Sequence, residues 1–222
     1  MSNADELLKE LRTLNEPFEK RFLDHHYVEA IESGQLKESA LSAFAAEQYH
    51  IITSDLRSIA FLYSRETSST GQQFFWDVLQ GEKEALKNLI YFSAALHLSD
   101  WDMEMHEPAA GAQAYKAFMA WLAVFGSSAE VAAALIVNLP AWAANCARMS
   151  RGLKIHYGLK DADVAFFDLF SSPSSDFQRM AVAVMDEGLR RGVEIRAVRR
   201  SARLVQEYEL MFWDTLYEHS RA

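Results

Sequence analysis

SALSAFAAEQYHIITSDLRSIAFLYSR, residues 39–65, contains neither proline nor glycine. Leu41, Phe44, Ala45, Tyr49, Ile52, Leu56 and Ile59 recur in it at steps of three and four, which aligns them along one stripe of a helix. The segment is too long for an ordinary strand and reads as a long helix with a core face. Outward from it the same period continues. Residues 4–14 read as a short amphipathic helix, and residues 18–32 as a second one that follows Pro17 and stops at Ser33-Gly34. Residues 72–98 form another long helix with Phe75, Val78, Leu79, Leu86 and Ile90 on its core face. Residues 99–111 read as a loop. Helices follow over about 113–125, 128–152, 161–170, 176–190 and 193–219. No hairpin dipeptide or alternating run signals a strand.

Composition narrows the function classes. The 222 residues include one cysteine, four prolines and nine glycines, half are hydrophobic, and the net charge is −9. Such a chain can bury a sizeable core without staples. One cysteine allows no intramolecular disulfide and fits a reducing compartment. The acidic balance argues against nucleic acid as a partner, because phosphate contact needs clustered positive charge. Residues 1–14 are polar and acidic, unlike a secretory leader. The most apolar stretch, 129–147, is interrupted by Asn138, Pro140 and Asn145, so it reads as a helix buried within the protein and no membrane contact is expected. Cytoplasmic location follows as the expectation. No linker or repeat divides the chain, and residues 1–222 read as a single all-α domain.

Phosphate loops, dinucleotide fingerprints and the common zinc and hydrolase motifs are missing. What remains are polar groups set inside apolar helices. Glu47 and His50 share a helix face; they form either a surface pair or a carboxylate and imidazole aimed into a pocket. Asn138 lies two residues before Pro140, whose ring removes a backbone donor to the carbonyl of Ile136. Its amide either patches that gap or lines a cavity with Trp142, one turn on. Cys146 reads as a small buried apolar residue. Glu209 lies among Tyr208, Leu210, Met211, Phe212 and Trp213; an acid there either points to solvent or serves a site, since burying it unpaired is costly. Arg196, Arg199, Arg200 and Arg203 form a basic stripe that reads as a solvated or salt-bridged face.

Four stretches, in this order, carry a resemblance: FLDHHYVEAIESGQL (22–36), AEQYHI (46–51), AEVAAALIVN (129–138) and YELMFWDTLY (208–217). Together they resemble the TenA/THI-4/PqqC family, which implies a haem-oxygenase-like helical bundle over nearly the whole chain. Thiaminase-type members hydrolyse aminopyrimidines with a cysteine nucleophile, a pyrimidine-binding acid and a proton-transfer acid. The resemblance places the pyrimidine-binding acid on Glu47, an active-site tyrosine position on His50 with Tyr49 beside it, and a pocket tyrosine on Tyr115. It places the cysteine position on Asn138, an aromatic on Trp142, the proton-transfer acid on Glu209 and a further tyrosine position near Phe170. An amide cannot act as that nucleophile, so the resemblance is to a divergent member that lacks the thiaminase cysteine.

The resemblance therefore implies a pocket for a small nitrogen heterocycle, of the thiamin-pyrimidine kind. Acid–base chemistry there would run through Glu209, Glu47 and His50, with Tyr49, Tyr115, Asn138 and Trp142 binding the ligand. A non-catalytic interaction or regulatory module on the same fold is the alternative, and its sign would be a pocket filled by its own side chains. A non-haem iron oxidase is a third reading. Glu47, His50 and Glu84 could supply its early ligands, but Phe170, Ser174 and Phe177 stand where the late ones are needed. Neither a metal nor an organic cofactor is expected, His25 and His26 read as ordinary packing, and a homodimer or homotetramer is.

Overall fold

The computed structural model describes residues 3–172 and 174–221; residues 1, 2, 173 and 222 of the expected domain lie outside that description. Among the described residues there are ten helices and no strand. They are α1 (Asn3–Leu23), α2 (His26–Glu32), α3 (Glu38–Arg65), α4 (Ser69–Ala95), α5 (Asp100–Met105), α6 (Ala110–Phe125), α7 (Ser128–Tyr157), α8 (Ala165–Ser171), α9 (Ser175–Arg190) and α10 (Ile195–Ser220).

Several helix ends shift by three or four residues from the expectation, and three larger differences each have a physical reason. Pro17 does not separate two helices but lies inside α1. Ala4, Leu7, Leu8, Leu11, Asn15 and Phe22 continue one buried stripe past it, while Pro17 itself is exposed. The carbonyl that loses its partner can turn to water there. The chain breaks instead at His25, whose ring accepts the Tyr27 N–H at the start of α2. Residues 99–111 contain a short helix, α5, started by a capping box between Ser99 and Asp102. Finally, α7 runs past Gly152 to Tyr157 and ends on Gly158 in the left-handed region, the conformation that glycine adopts without a steric cost. Gly152 is where α7 meets α2: a Cβ there would stand 2.6 Å from the Ile31 carbonyl oxygen.

The core consists of two adjoining apolar clusters. The first gathers around Phe44, whose ring has Tyr27, Phe92, Phe167, Phe212 and Trp213 at centroid distances of 5.6 to 6.4 Å. The second joins the start of α1 to α4, α7, α9 and the first half of α10, through residues such as Leu11, Phe75, Val131 and Val205. Tyr115 packs against both. Helix α7 is long and apolar enough to cross a membrane, but 67% of its most apolar window is buried within the fold. That makes it the central core helix. Its capping box, Ser127 with Glu130, also ties it to α10, because Glu130 accepts the Ser201 hydroxyl at 3.1 Å.

Candidate functional site

Where the two clusters meet, the side chains leave a cavity of about 450 Å³. That volume lies within the range of small-molecule sites. Helices α3, α4, α6, α7, α8, α9 and α10 all contribute to its wall. Exposed Asp77, Gly81, Ser174 and Asp176 are among the lining residues, so the cavity reaches solvent between α4 and α9 rather than being sealed.

Four of the residues singled out in the sequence converge here: Tyr115 from α6, Asn138 and Trp142 from α7, and Glu209 from α10. Glu209 is buried and accepts the Trp213 indole N–H at 3.0 Å. Burial pushes its carboxyl up to about 7, against the opposing hydrogen bonds from Trp213 and Asn138. Asn138 also donates to Gln206 Oε1 at 3.3 Å, and Gln206 in turn donates to the Val137 carbonyl. The Asn138 side chain is thus engaged by Gln206 and Glu209 at the cavity wall. Burial, together with the charges of Asp55, Glu209 and Glu82, holds the Tyr115 phenol well above its ordinary range, so it stays protonated. Trp142 meets Phe170 edge-on at 5.8 Å, giving the cavity an aromatic wall.

Glu47, His50 and Tyr49 lie outside the lining. The Glu47 carboxylate is turned the other way. It accepts the Ala109 N–H at 2.8 Å and a bond from the Gln113 amide, with His106 Nε2 at 3.0 Å. His50 donates to the His106 carbonyl at 3.1 Å, and the half-buried Tyr49 ring meets His50 edge-on at 5.8 Å. These groups hold the α5–α6 connection to α3. The neighbouring Gln48, rotated by about 100° on the helix, takes the place in the cavity wall where the resemblance set an acid.

Besides the exposed Asp77 and Asp176 at its mouth, the cavity has two further acids that were not singled out in the sequence. Asp55 on α3 and Glu82 on α4 both line the cavity. Burial lifts Asp55 well above the carboxylate range, reinforced by Glu82, and lifts Glu82 to about 7. The signal for Asp55 was its seven-residue spacing from Gln48, on a face shared with Ile52 and Ile59.

The remaining candidates have structural roles. Cys146 is fully buried, and burial raises its thiol, with Glu209 and Asp168 adding to the effect. Arg199 pairs with Glu10 at 2.8 Å, and Arg203 with Glu207. His25 pairs with Asp214 at 3.2 Å. Glu84 is exposed and bound to Lys87 at 3.0 Å. Glu47, His50 and Glu84 therefore do not gather, and among the described residues no group of three His, Cys, Asp or Glu side chains is placed to hold a metal ion.

The sequence model of the TENA/THI-4/PQQC family matches residues 14–219. No curated protein matches the chain in sequence. Among solved structures, a TenA homologue from Pyrococcus furiosus is 20% identical with a TM-score of 0.75, covering 95% of this chain and 100% of its own. A TenA homologue from Pseudomonas syringae is 10% identical with a TM-score of 0.79, over 95% of this chain and 92% of its own. Haem oxygenase-1 from the cyanobacterium Synechocystis, solved with haem, is 13% identical with a TM-score of 0.71, over 96% and 91%. At these identities the likeness is one of fold.

Proposed function

The chain belongs to the TENA/THI-4/PQQC family, and on that premise we propose that it binds a small nitrogen heterocycle, of the thiamin-pyrimidine kind, in the cavity beside Glu209. The observation that carries this reading is the convergence of Glu209, Asn138, Tyr115 and Trp142, from three helices, on one cavity of about 450 Å³. Trp142 and Phe170 offer faces and edges against which a flat ring stacks. Asn138 offers both a donor and an acceptor, and Tyr115 a donor. Glu209, with its carboxyl near 7, exchanges a proton readily at neutral pH, as a general acid or base must. It would protonate a ring nitrogen or leaving group in one direction and take a proton from water in the other. Cys146 takes no part, being fully buried and outside the cavity lining. The transformation would therefore proceed without a thiol nucleophile. A cavity this large, left open among the protein's own side chains, supports a small-molecule site over a scaffold used only for protein contact.

The same reading makes the protein a cytoplasmic homo-oligomer. The support for assembly is the exposed aromatic ridge on α6, where Trp121 meets Phe125 at 5.7 Å and Phe125 is 71% exposed, since exposed apolar patches mark interaction sites. The direct test of the ligand is a thermal-shift titration with 4-amino-2-methylpyrimidine. Ligand at about a hundred times its dissociation constant stabilises the fold by about 2.7 kcal/mol, a rise of several degrees. The expected result is a saturable rise that Trp142→Ala abolishes. No saturable shift at millimolar ligand overturns the reading.

A further inference from the structure

Asp55 and Glu82 have no part in the chemistry just described, yet they occupy an expensive position. Asp55 is 5% exposed, and its Oδ1 is buried with no hydrogen-bond partner. Glu82 reaches the same cavity from α4, so two carboxyls that repel one another share one wall. Buried acceptors are nearly always satisfied, and leaving one unsatisfied costs its full desolvation. Of the charged or titratable groups nearby, only Lys116 favours the Asp55 carboxylate, and burial outweighs it. Tyr115 and Glu209 add to the negative side or stay neutral. Lys116, next to Tyr115 on α6, is attracted by Asp55 and Glu47 but lies outside the lining. Among the described lining residues there is no Lys, Arg or His, while Phe74, Phe177 and Met180 supply apolar surface.

We propose that Asp55 and Glu82 form a second subsite in this cavity, which binds the ammonium or amidinium group of an organic ligand whose apolar body lies against the aromatic wall. Such a group supplies what the pair lacks: several N–H donors and a positive charge. Aromatic faces add attraction for an organic cation. A divalent metal ion is the poorer occupant, since it needs more oxygen ligands than two carboxylates offer. The inference rests on the heterocycle reading in sharing its cavity, and it adds the charge class of the ligand: a cation, recognised by residues distinct from Glu209 and Asn138.

Calorimetric titration with benzylammonium chloride, and with benzyl alcohol as its uncharged counterpart, tests the subsite. The intact protein is expected to bind benzylammonium at least ten-fold more tightly than benzyl alcohol. Asp55→Asn and Glu82→Gln should each erase that advantage while leaving benzyl alcohol affinity within two-fold. Both variants replace an ionisable carboxyl in the cavity wall at nearly constant size, so each should keep or raise Tm, which confirms an intact fold. Equal affinity for the two probes, or an advantage that survives both substitutions, overturns the subsite. Titration with 4-amino-2-methylpyrimidine on the same samples separates the two readings. If it fails to bind while the benzylammonium advantage depends on Asp55 and Glu82, the heterocycle reading falls and the subsite stands. If it binds and no cation advantage exists, the subsite alone falls.

Discussion

Glu209 accepts the indole N–H of Trp213 at 3.0 Å, one turn further along the last helix. The bond favours the charged carboxylate, yet burial outweighs it and the carboxyl stands near 7. With each pKa unit equivalent to about 1.4 kcal/mol, ionising Glu209 in the folded protein costs about 3 kcal/mol relative to the unfolded chain.

The cost has a sign that can be measured. The folded protein holds this proton more tightly than the unfolded chain does. The stabilisation is therefore complete below about pH 4.5 and is lost as pH rises through about 7. Glu209→Gln removes the dependence. Denaturant unfolding of both proteins between pH 5 and 8 should show a gap that widens with pH, reaching about 3 kcal/mol in favour of the glutamine variant. A gap that does not change with pH contradicts the burial of this carboxyl.

Access to the cavity can be read with a thiol reagent. Native protein should resist iodoacetamide, because Cys146 is fully buried and its thiol is raised. Asn138→Cys puts a thiol on the cavity wall and should take up one equivalent, more slowly when 4-amino-2-methylpyrimidine is present. Labelling of the native protein, or ligand-independent labelling of the variant, contradicts the placement of these two residues.

Glu47 is expected to act on the fold rather than on the ligand. Glu47→Ala leaves the Ala109 N–H and the Gln113 amide without their acceptor. Bonds to a charged acceptor contribute about 1.5–3 kcal/mol each, so Tm should fall by at least several degrees. Aminopyrimidine affinity, measured well below that Tm, should stay within about three-fold. Lost affinity with unchanged Tm would put Glu47 in the site.

The aromatic ridge on α6 gives the assembly prediction. Phe125→Glu places a charge on the most exposed of its rings and should lower the sedimentation mass of the proposed oligomer while leaving Tm of the subunit fold nearly unchanged. A native protein that sediments as a monomer refutes the oligomer.

The helices were legible because their apolar period is strong, and the break misplaced at Pro17 shows what periodicity outranks. One exposed proline costs little when Leu11, Asn15 and Phe22 continue the buried stripe. The site was legible only where polarity stood out against an apolar background, as at Asn138 and Glu209. On α3 the apolar stripe drawn through Tyr49 and Leu56 is turned from the true inner face, because both residues are half-buried while Gln48, Asp55 and Ser58 are buried. A cavity wall contains polar residues by design, so a reading that equates polar with solvent rotates the helix by about one position. That single step separates Glu47 from Gln48, and it hid Asp55.

A crystal soaked with 4-amino-2-methylpyrimidine tests the central claim most directly. The account predicts density for one ring against Trp142 and Phe170, with a ring or amino nitrogen within hydrogen-bond distance of Glu209 and with Asn138 alongside. A ring bound elsewhere, or a cavity that stays free of it at saturating ligand, would contradict the account.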